Sequence, residues 1–322
     1  MDETKTDYTI GGSEAAVILG LSPWATPLSL YLRKKGLLPE PDLDSKDYIK
    51  WGKRLEEPVA QAYSEETMRP VQEADPDVVT DLEGRHLKTF VPIANYGAHG
   101  VFLGIDSLGA NFAHPDRPWM RCHPDRFILD PKRTGKLGIL EAKTAMAMKK
   151  DEWDEEPPLK YQVQLAHNLE VMGCEWGSLA VLIGGNTFRW QDQERNEAFT
   201  DHLVEKEADF IRRLKENDPP GVTGSEHDRQ ALGDLFKVPV DSPVALPPEA
   251  IEWAEKLLDA DARESAAKEE KTRWQNLIKQ AMGEHTIGVL PNNSGRFSWK
   301  LVEKGEYVVK ASSHRRFIRM AK

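Results

Sequence analysis

Cysteine is nearly absent: Cys122 and Cys174 are the only two in 322 residues. That excludes a disulfide framework and any zinc or iron–sulfur site built from this chain's cysteines alone. Long apolar runs are missing too, since no stretch approaches the roughly 18 residues a membrane helix needs. The opening MDETKTDYTI has neither the basic start nor the apolar core of a secretory signal. A cytoplasmic protein is therefore expected. Positive charge is in deficit, with 43 Lys and Arg against 53 Asp and Glu, a net charge of −10. The balance argues against a protein that coats nucleic acid through overall charge, although recognition through a local patch stays open. There is no G-x-x-x-x-G-K-[ST] loop, so an ATP-driven motor in the same chain is not expected. No H-E-x-x-H segment or cysteine pair offers a zinc hydrolase site. The nine histidines are scattered without ligand spacing, and His123 reads as a structural neighbour.

What is present is an alternation of helical and strand-like segments. Residues 13–19 and 27–36 read as short helices opened by hydroxyl residues. A longer helix is expected from about Tyr48 to Thr67, with Leu55, Val59 and Tyr63 on one face. From Val78 to about Leu140 the texture is short apolar runs broken by Gly, Pro and Asn, which suits several strands. Helical spacing returns over 159–172. SLAVLI, the turn Gly184-Gly185-Asn186 and TFRWQ then make a hairpin signal. Another helix is expected from about Asn196 to Glu216. This order implies an α/β domain with a central mixed sheet flanked by helices over 1–217. Residues 218–248 carry Pro219, Pro220, Pro239, Pro243, Pro247 and Pro248 and read as a Pro-rich linker. A C-terminal extension over 249–322 would hold one helix of about 50 Å from Glu249 to Met282. A strand pair and a basic tail with Lys310, Arg315, Arg316, Arg319 and Lys322 would follow. The tail reads as a solvated face or as a tracking or docking arm.

The segment HPDRFILDPKRTGKLGILEAKTA carries the chemistry. Asp125 precedes an apolar strand, a Pro/Gly turn follows, and a second apolar strand delivers Glu141. Lys143 lies two residues on, so strand alternation puts it on the same face as Glu141. Phosphodiester cleavage calls for this set. Carboxylates hold Mg²⁺, the ion activates water and stabilises developing charge, and an ammonium offsets charge on the phosphoryl group. Alone, D-x(n)-E-x-K is a weak motif that also fits a surface hairpin with a solvated Glu–Lys pair. Charged groups inside so apolar a strand favour a purpose, because burial would otherwise be costly.

Five blocks in order extend the pattern: IGGSEAAVILGLSPWATPLSLYLRKKG, WGKRLEEPVAQAY, PWMRCHPDRF, LEAKT and YQVQLAHNLEVMG. Over roughly residues 10–190 the chain resembles the YqaJ-type viral recombinase family, with the phage lambda exonuclease and RecE-like nucleases. The resemblance implies a PD-(D/E)XK restriction-endonuclease-like core. It also implies a metal-dependent exonuclease that resects linear double-stranded DNA from 5′ ends and leaves 3′ overhangs for recombination. Implied with it are two Mg²⁺ ions per site, with Mn²⁺ substituting, and a phage- or prophage-encoded origin in a bacterial host. The implied partners are DNA ends and a single-strand annealing protein of RecT or Red-beta type, with a homo-oligomeric ring around the product strand.

By the same resemblance, Asp125, Glu141 and Glu56 are metal ligands, and Gln162 lies beside the metal or the scissile phosphate. Gln164 is then expected to be structural. Ser13 would bind the 5′ phosphate at a helix start, or else cap that helix. The family often has glycine after the aspartate; here Arg126 follows, as a DNA contact or a change of turn. A second HPD at His114–Asp116 contests the choice of Asp125, and Asp106 is a further candidate ligand. Lys5 is a weak candidate for the family's 5′-phosphate arginine. Two rival readings are a structure-specific or restriction-type endonuclease and a non-catalytic scaffold that binds DNA ends.

Overall fold

The computed structural model describes residues 6–43, 45–73, 79–80, 86–87, 98–106, 109–133 and 136–303. The chain divides into two compact units, residues 1–237 and 238–322. No helix among the described residues is long and apolar enough to cross a membrane.

In the first unit a five-stranded sheet carries the centre. Its order is β11 (Thr187–Glu194), β10 (Trp176–Ile183), β9 (Leu137–Ala145), β8 (Arg126–Leu129) and β2 (Val71–Glu73). Strands β9 and β10 run parallel and the other neighbours antiparallel, so the expected mixed sheet is present. Parallel strands need a crossover. It consists of a 3-10 turn at Ala147–Trp153 and the helix α4 (Leu159–Met172). Helix α3 (Asp47–Thr67) covers the opposite face. Its Val59, Ala60 and Tyr63 pack on Ile128, Leu140, Trp176 and Ala180. Ile139 of β9 instead joins the cluster containing Leu165 and Leu169 of α4. Strand alternation thus assigns Leu140 to the α3 side and Ile139, Glu141 and Lys143 to the α4 side.

A second sheet has the order β1 (Ile10–Gly11), β7 (Met120–Cys122), β6 (Gly109–Ala113), β5 (Val101–Asp106). Parallel pairing of β1 with β7 sets Gly11 opposite Arg121, close to the chain's approach to Asp125. Helix α1 (Gly12–Ile18) follows β1 directly and packs on α4, where Gly12 is required. A Cβ there would stand 2.3 Å from Asn168 Oδ1 and 3.2 Å from Gln164 Cγ. Helices α2 (Pro27–Lys34) and α5 (Glu197–Glu216) close a separate apolar cluster with Ile10, Leu28, Phe210 and Leu214. A two-residue ladder joins β3 (Val79–Thr80) to β4 (His86–Leu87).

The Pro-rich stretch differs from an uninterrupted linker. Helix α6 (Glu226–Leu235) forms inside it, capped by Ser225, which accepts from Asp228 N–H. Ala231 enters the apolar cluster of α2, and the buried Asp228 accepts from Thr26 Oγ1. A ten-residue helix with one apolar contact row was masked in the sequence by its proline-rich flanks.

In the second unit, α7 (Ala250–Met282) matches the long helix expected there. Its Met282 is buried where a short hairpin of β12 (Ile287–Val289) and β13 (Arg296–Ser298) closes over it. The expected basic tail, and Lys5 at the other terminus, lie outside the described residues.

Candidate active site

The hairpin of β8 and β9 brings Asp125 and Glu141 together. Asp125 stands just before β8, and its Oδ2 accepts a 2.7 Å hydrogen bond from the Ala142 N–H. That bond ties the carboxylate to the strand that carries the rest of the group. Glu141 is fully buried, and three side-chain donors surround it. Lys143 Nζ and Gln164 Nε2 donate to its Oε2 at 2.7 and 2.8 Å, and Asn168 Nδ2 donates to its Oε1 at 2.6 Å. Lys143 Nζ also lies 3.9 Å from Asp125 Oδ2, so one ammonium serves two carboxylates. On its other side it faces the Tyr161 ring, 5.8 Å from the centroid.

Electrostatics follow from the crowding. Burial pushes the Glu141 carboxyl up to about 7, and the nearby Asp125 charge adds to the rise while Lys143 opposes it. Burial also works against the Lys143 ammonium, but the adjacent Glu141 and Asp125 outweigh it and hold the lysine above its ordinary range. The lysine is therefore a fixed cation. Glu141 instead sits close to its own midpoint near neutrality.

Glu56, on α3, is within electrostatic reach of the pair. Burial and the Asp125 charge raise its pKa, against Arg126. Its carboxylate is nevertheless engaged, because Arg126 Nη1 donates to Glu56 Oε1 and Nη2 to Glu57 Oε2, each at 2.7 Å. Arg126 also donates to the Asp125 carbonyl. Arg126 thus braces α3 against the start of β8.

The two glutamines exchange the places expected of them. Gln164 reaches Glu141, whereas Gln162 Nε2 donates to the Pro157 carbonyl at 2.6 Å, away from the carboxylates. Helix phase is the reason: residues two apart on α4 face opposite sides, and Gln164 shares its side with Asn168, four residues on. Asn168 was missed in the sequence. The four-residue spacing of Gln164 and Asn168 was the available signal, on a helix that also carries the polar residues Lys160, Gln162, His167 and Glu170.

Ser13 is exposed at the second residue of α1. The helix is capped at Gly11, whose N–H donates to Glu14 Oε2 at 2.9 Å, so Ser13 is not the cap. The rival HPD forms a turn of its own. His114 is buried, its Nδ1 accepts from the Asp116 and Arg117 N–H groups, and Asp116 belongs to that turn. Asp106 accepts from His123 and Asn111 at 2.9 and 3.0 Å.

Among the described residues no three His, Cys, Asp or Glu side chains converge as a ready metal-binding group. The donor set fits a hard divalent ion all the same. Asp125 and Glu141 are oxygen donors sharing one cation, and Mg²⁺ is commonly held through one or two carboxylates with waters completing its shell. Arg126 engages Glu56 through Oε1, and a carboxylate's second oxygen can serve an ion as well.

A family model described as the YqaJ-like viral recombinase domain matches residues 4–175, more than half of the chain. The uncharacterized protein YqaJ of Bacillus subtilis (strain 168) is 30% identical over 227 residues, 69% of this chain. The chain spans 59% of that relative's length. Among solved structures, an alkaline exonuclease, LHK-Exo, from Laribacter hongkongensis aligns with a TM-score of 0.44 at 14% identity, covering 66% of this chain and 91% of the other. LHK-Exo in complex with dAMP aligns at the same TM-score and identity, covering 67% and 92%.

Proposed function

The chain belongs to the YqaJ-like viral recombinase domain family, and from that premise we propose that it is a metal-dependent exonuclease acting on the ends of double-stranded DNA. The observation that carries the reading is Lys143 Nζ, 2.7 Å from buried Glu141 and 3.9 Å from Asp125. A lysine and two carboxylates so placed are costly to hold unless the group does chemistry.

Asp125 and Glu141 would hold a divalent ion, which supplies Lewis-acid polarisation of the phosphate and a more acidic bound water. Gln164 and Asn168 fix both Glu141 oxygens, leaving that carboxylate little freedom to turn. The Lys143 ammonium stays protonated and stabilises charge on the phosphoryl oxygens as the water attacks. Asp125 is kept oriented by the Ala142 N–H. Ser13 is offered as a contact for the terminal 5′ phosphate, being exposed on a helix packed against α4. Cutting from 5′ ends, the 3′ overhangs, a second ion, a RecT- or Red-beta-type annealing partner and a ring of copies form the finer part of the proposal, supported by the family resemblance.

Linear duplex labelled at its 5′ or 3′ ends, and the same DNA as a closed circle, would be incubated in Mg²⁺ or EDTA with wild type and Lys143→Ala. Metal-dependent release of 5′ label from the linear form only, lost in the variant, is expected. Cleavage of the circle would replace the reading with an endonuclease, and DNA binding without turnover would replace it with an end-binding scaffold.

A further inference from the structure

Trp24 is 63% exposed, yet it is not on a loose loop. The segment between α1 and α2 that carries it is pinned on both sides by α6. His227 Nε2 donates to the Pro23 carbonyl at 2.8 Å, and Thr26 Oγ1 donates to buried Asp228. Within the loop, the Trp24 N–H donates to Ser22 Oγ at 3.2 Å. The indole thus stands in solvent on a backbone fixed at both sides.

Its surroundings indicate a use for it. Lys160 Nζ stands 3.8 Å from the Trp24 ring and 4.8 Å from the Tyr161 ring. Tyr161 in turn stacks on Trp153, with centroids 5.4 Å apart and planes at 25°, and faces Lys143 Nζ. A file of alternating rings and ammonium groups therefore runs from the catalytic lysine to an open indole. An aromatic surface for a base, with cations for its phosphates, is how single strands are bound without sequence preference. Resting on the nuclease reading above, we propose that Trp24 is a nucleobase platform. One base of the DNA strand engaged at the Lys143 site stacks on the open part of the indole, and Lys160 holds an adjoining phosphate. Helix α6 sets the position of the platform, which gives the first half of the Pro-rich stretch a function.

The test compares wild type, Trp24→Ala, Trp24→Phe and Lys160→Met as full-length chains. Circular dichroism and thermal melting check that each is folded. Binding is read in EDTA by anisotropy, using labelled 5′-phosphorylated DNA with a short single-stranded end. Abasic sites are placed one by one along that end. Wild type should lose about five- to a hundredfold in affinity when one particular position is abasic, the range known for a base stacked on an aromatic side chain. Trp24→Ala should bind intact DNA as weakly as wild type binds that abasic DNA and lose sensitivity to the position, while Trp24→Phe keeps most of it. Lys160→Met should weaken binding at every position alike. Equal abasic profiles for wild type and Trp24→Ala would overturn the platform while leaving nuclease activity standing. A wild type that neither binds nor degrades DNA would remove the nuclease reading and the platform together.

Discussion

Replacing Lys143 by methionine removes the ammonium but keeps a side chain of similar length, and the cost should depend on pH in a way that singles out Glu141. Burial raises the Glu141 carboxyl from 4.5 to about 7, and Lys143 is the largest influence opposing the rise. Between those values the folded protein binds one proton more than the unfolded chain. The stability tied to that proton is fully present below pH 4.5 and is lost as pH climbs toward 7. The slope is about 1.4 kcal/mol per pH unit, roughly 3 kcal/mol in all. Beyond pH 7 the wild type holds an ionised Glu141 against Lys143, and the slope ends. Without the ammonium, the Glu141 pKa moves upward and the same slope continues into alkaline conditions. From pH 7 to 9 the variant should therefore lose about 3 kcal/mol more than wild type, comparable with the ~3–5 kcal/mol expected when a buried ion pair loses one partner. Urea unfolding in EDTA at pH 6, 7, 8 and 9 reads this as a shift in midpoint at constant slope. Adding Glu141→Gln to Lys143→Met should flatten the profile again. Parallel curves for wild type and Lys143→Met over pH 7–9 would refute the reasoning, because the ionised Glu141 would then owe nothing to Lys143.

Other expected outcomes separate neighbouring residues. In Mg²⁺, Lys143→Ala should lower kcat on linear DNA by about 10²–10³-fold with little change in KM, the loss typical of one preorganised donor; an unchanged kcat would remove Lys143 from the reaction. Gln164→Ala should reduce kcat and cost about 1–2 kcal/mol of stability by leaving a buried acceptor short of a donor. Gln162→Ala should leave kcat near wild type, and the opposite order in steady-state assays would restore the expectation drawn from the sequence. Gly12→Ala would drive a methyl against Asn168, 2.3 Å from its Oδ1. A loss of about 1–3 kcal/mol in urea unfolding, with reduced kcat, is expected, and a neutral result would show that α1 can withdraw from α4.

The arrangement of Asp125, Glu141 and Lys143 was legible because a strand has a two-residue period and a hairpin joins neighbours in sequence. Both rules act within one short segment and need no knowledge of the rest of the chain. The helices over 159–172 and 196–216 were legible for a similar reason, since their apolar spacing spans several turns. Arg126 was harder to place. Its guanidinium is positioned by Glu56 and Glu57, which precede it by about 70 residues, and no local rule assigns that contact.

The reversal of Gln162 and Gln164 shows where local reasoning can still be extended. Periodicity says that the two glutamines face apart, but it does not say which side of α4 meets β9. The apolar residues do not decide it, because α4 is buried on nearly every side: Leu165 and Leu169 pack with Ile139 of β9, while Val163 and Ala166 pack with Ala15 and Ala16 of α1. Gln164 and Asn168 lie four apart and reach Glu141 together. Their amides then meet a carboxylate that enters the same interior from β9. A buried Glu141 needs donors for both oxygens, and α4 is the element that packs on its face of the strand. The consistent pair on that helix is Gln164 with Asn168, since Gln162 has no polar partner one turn further on that also faces the strand. The same logic accounts for Gly12, because two amides held against β9 leave no room for a Cβ where α1 crosses them.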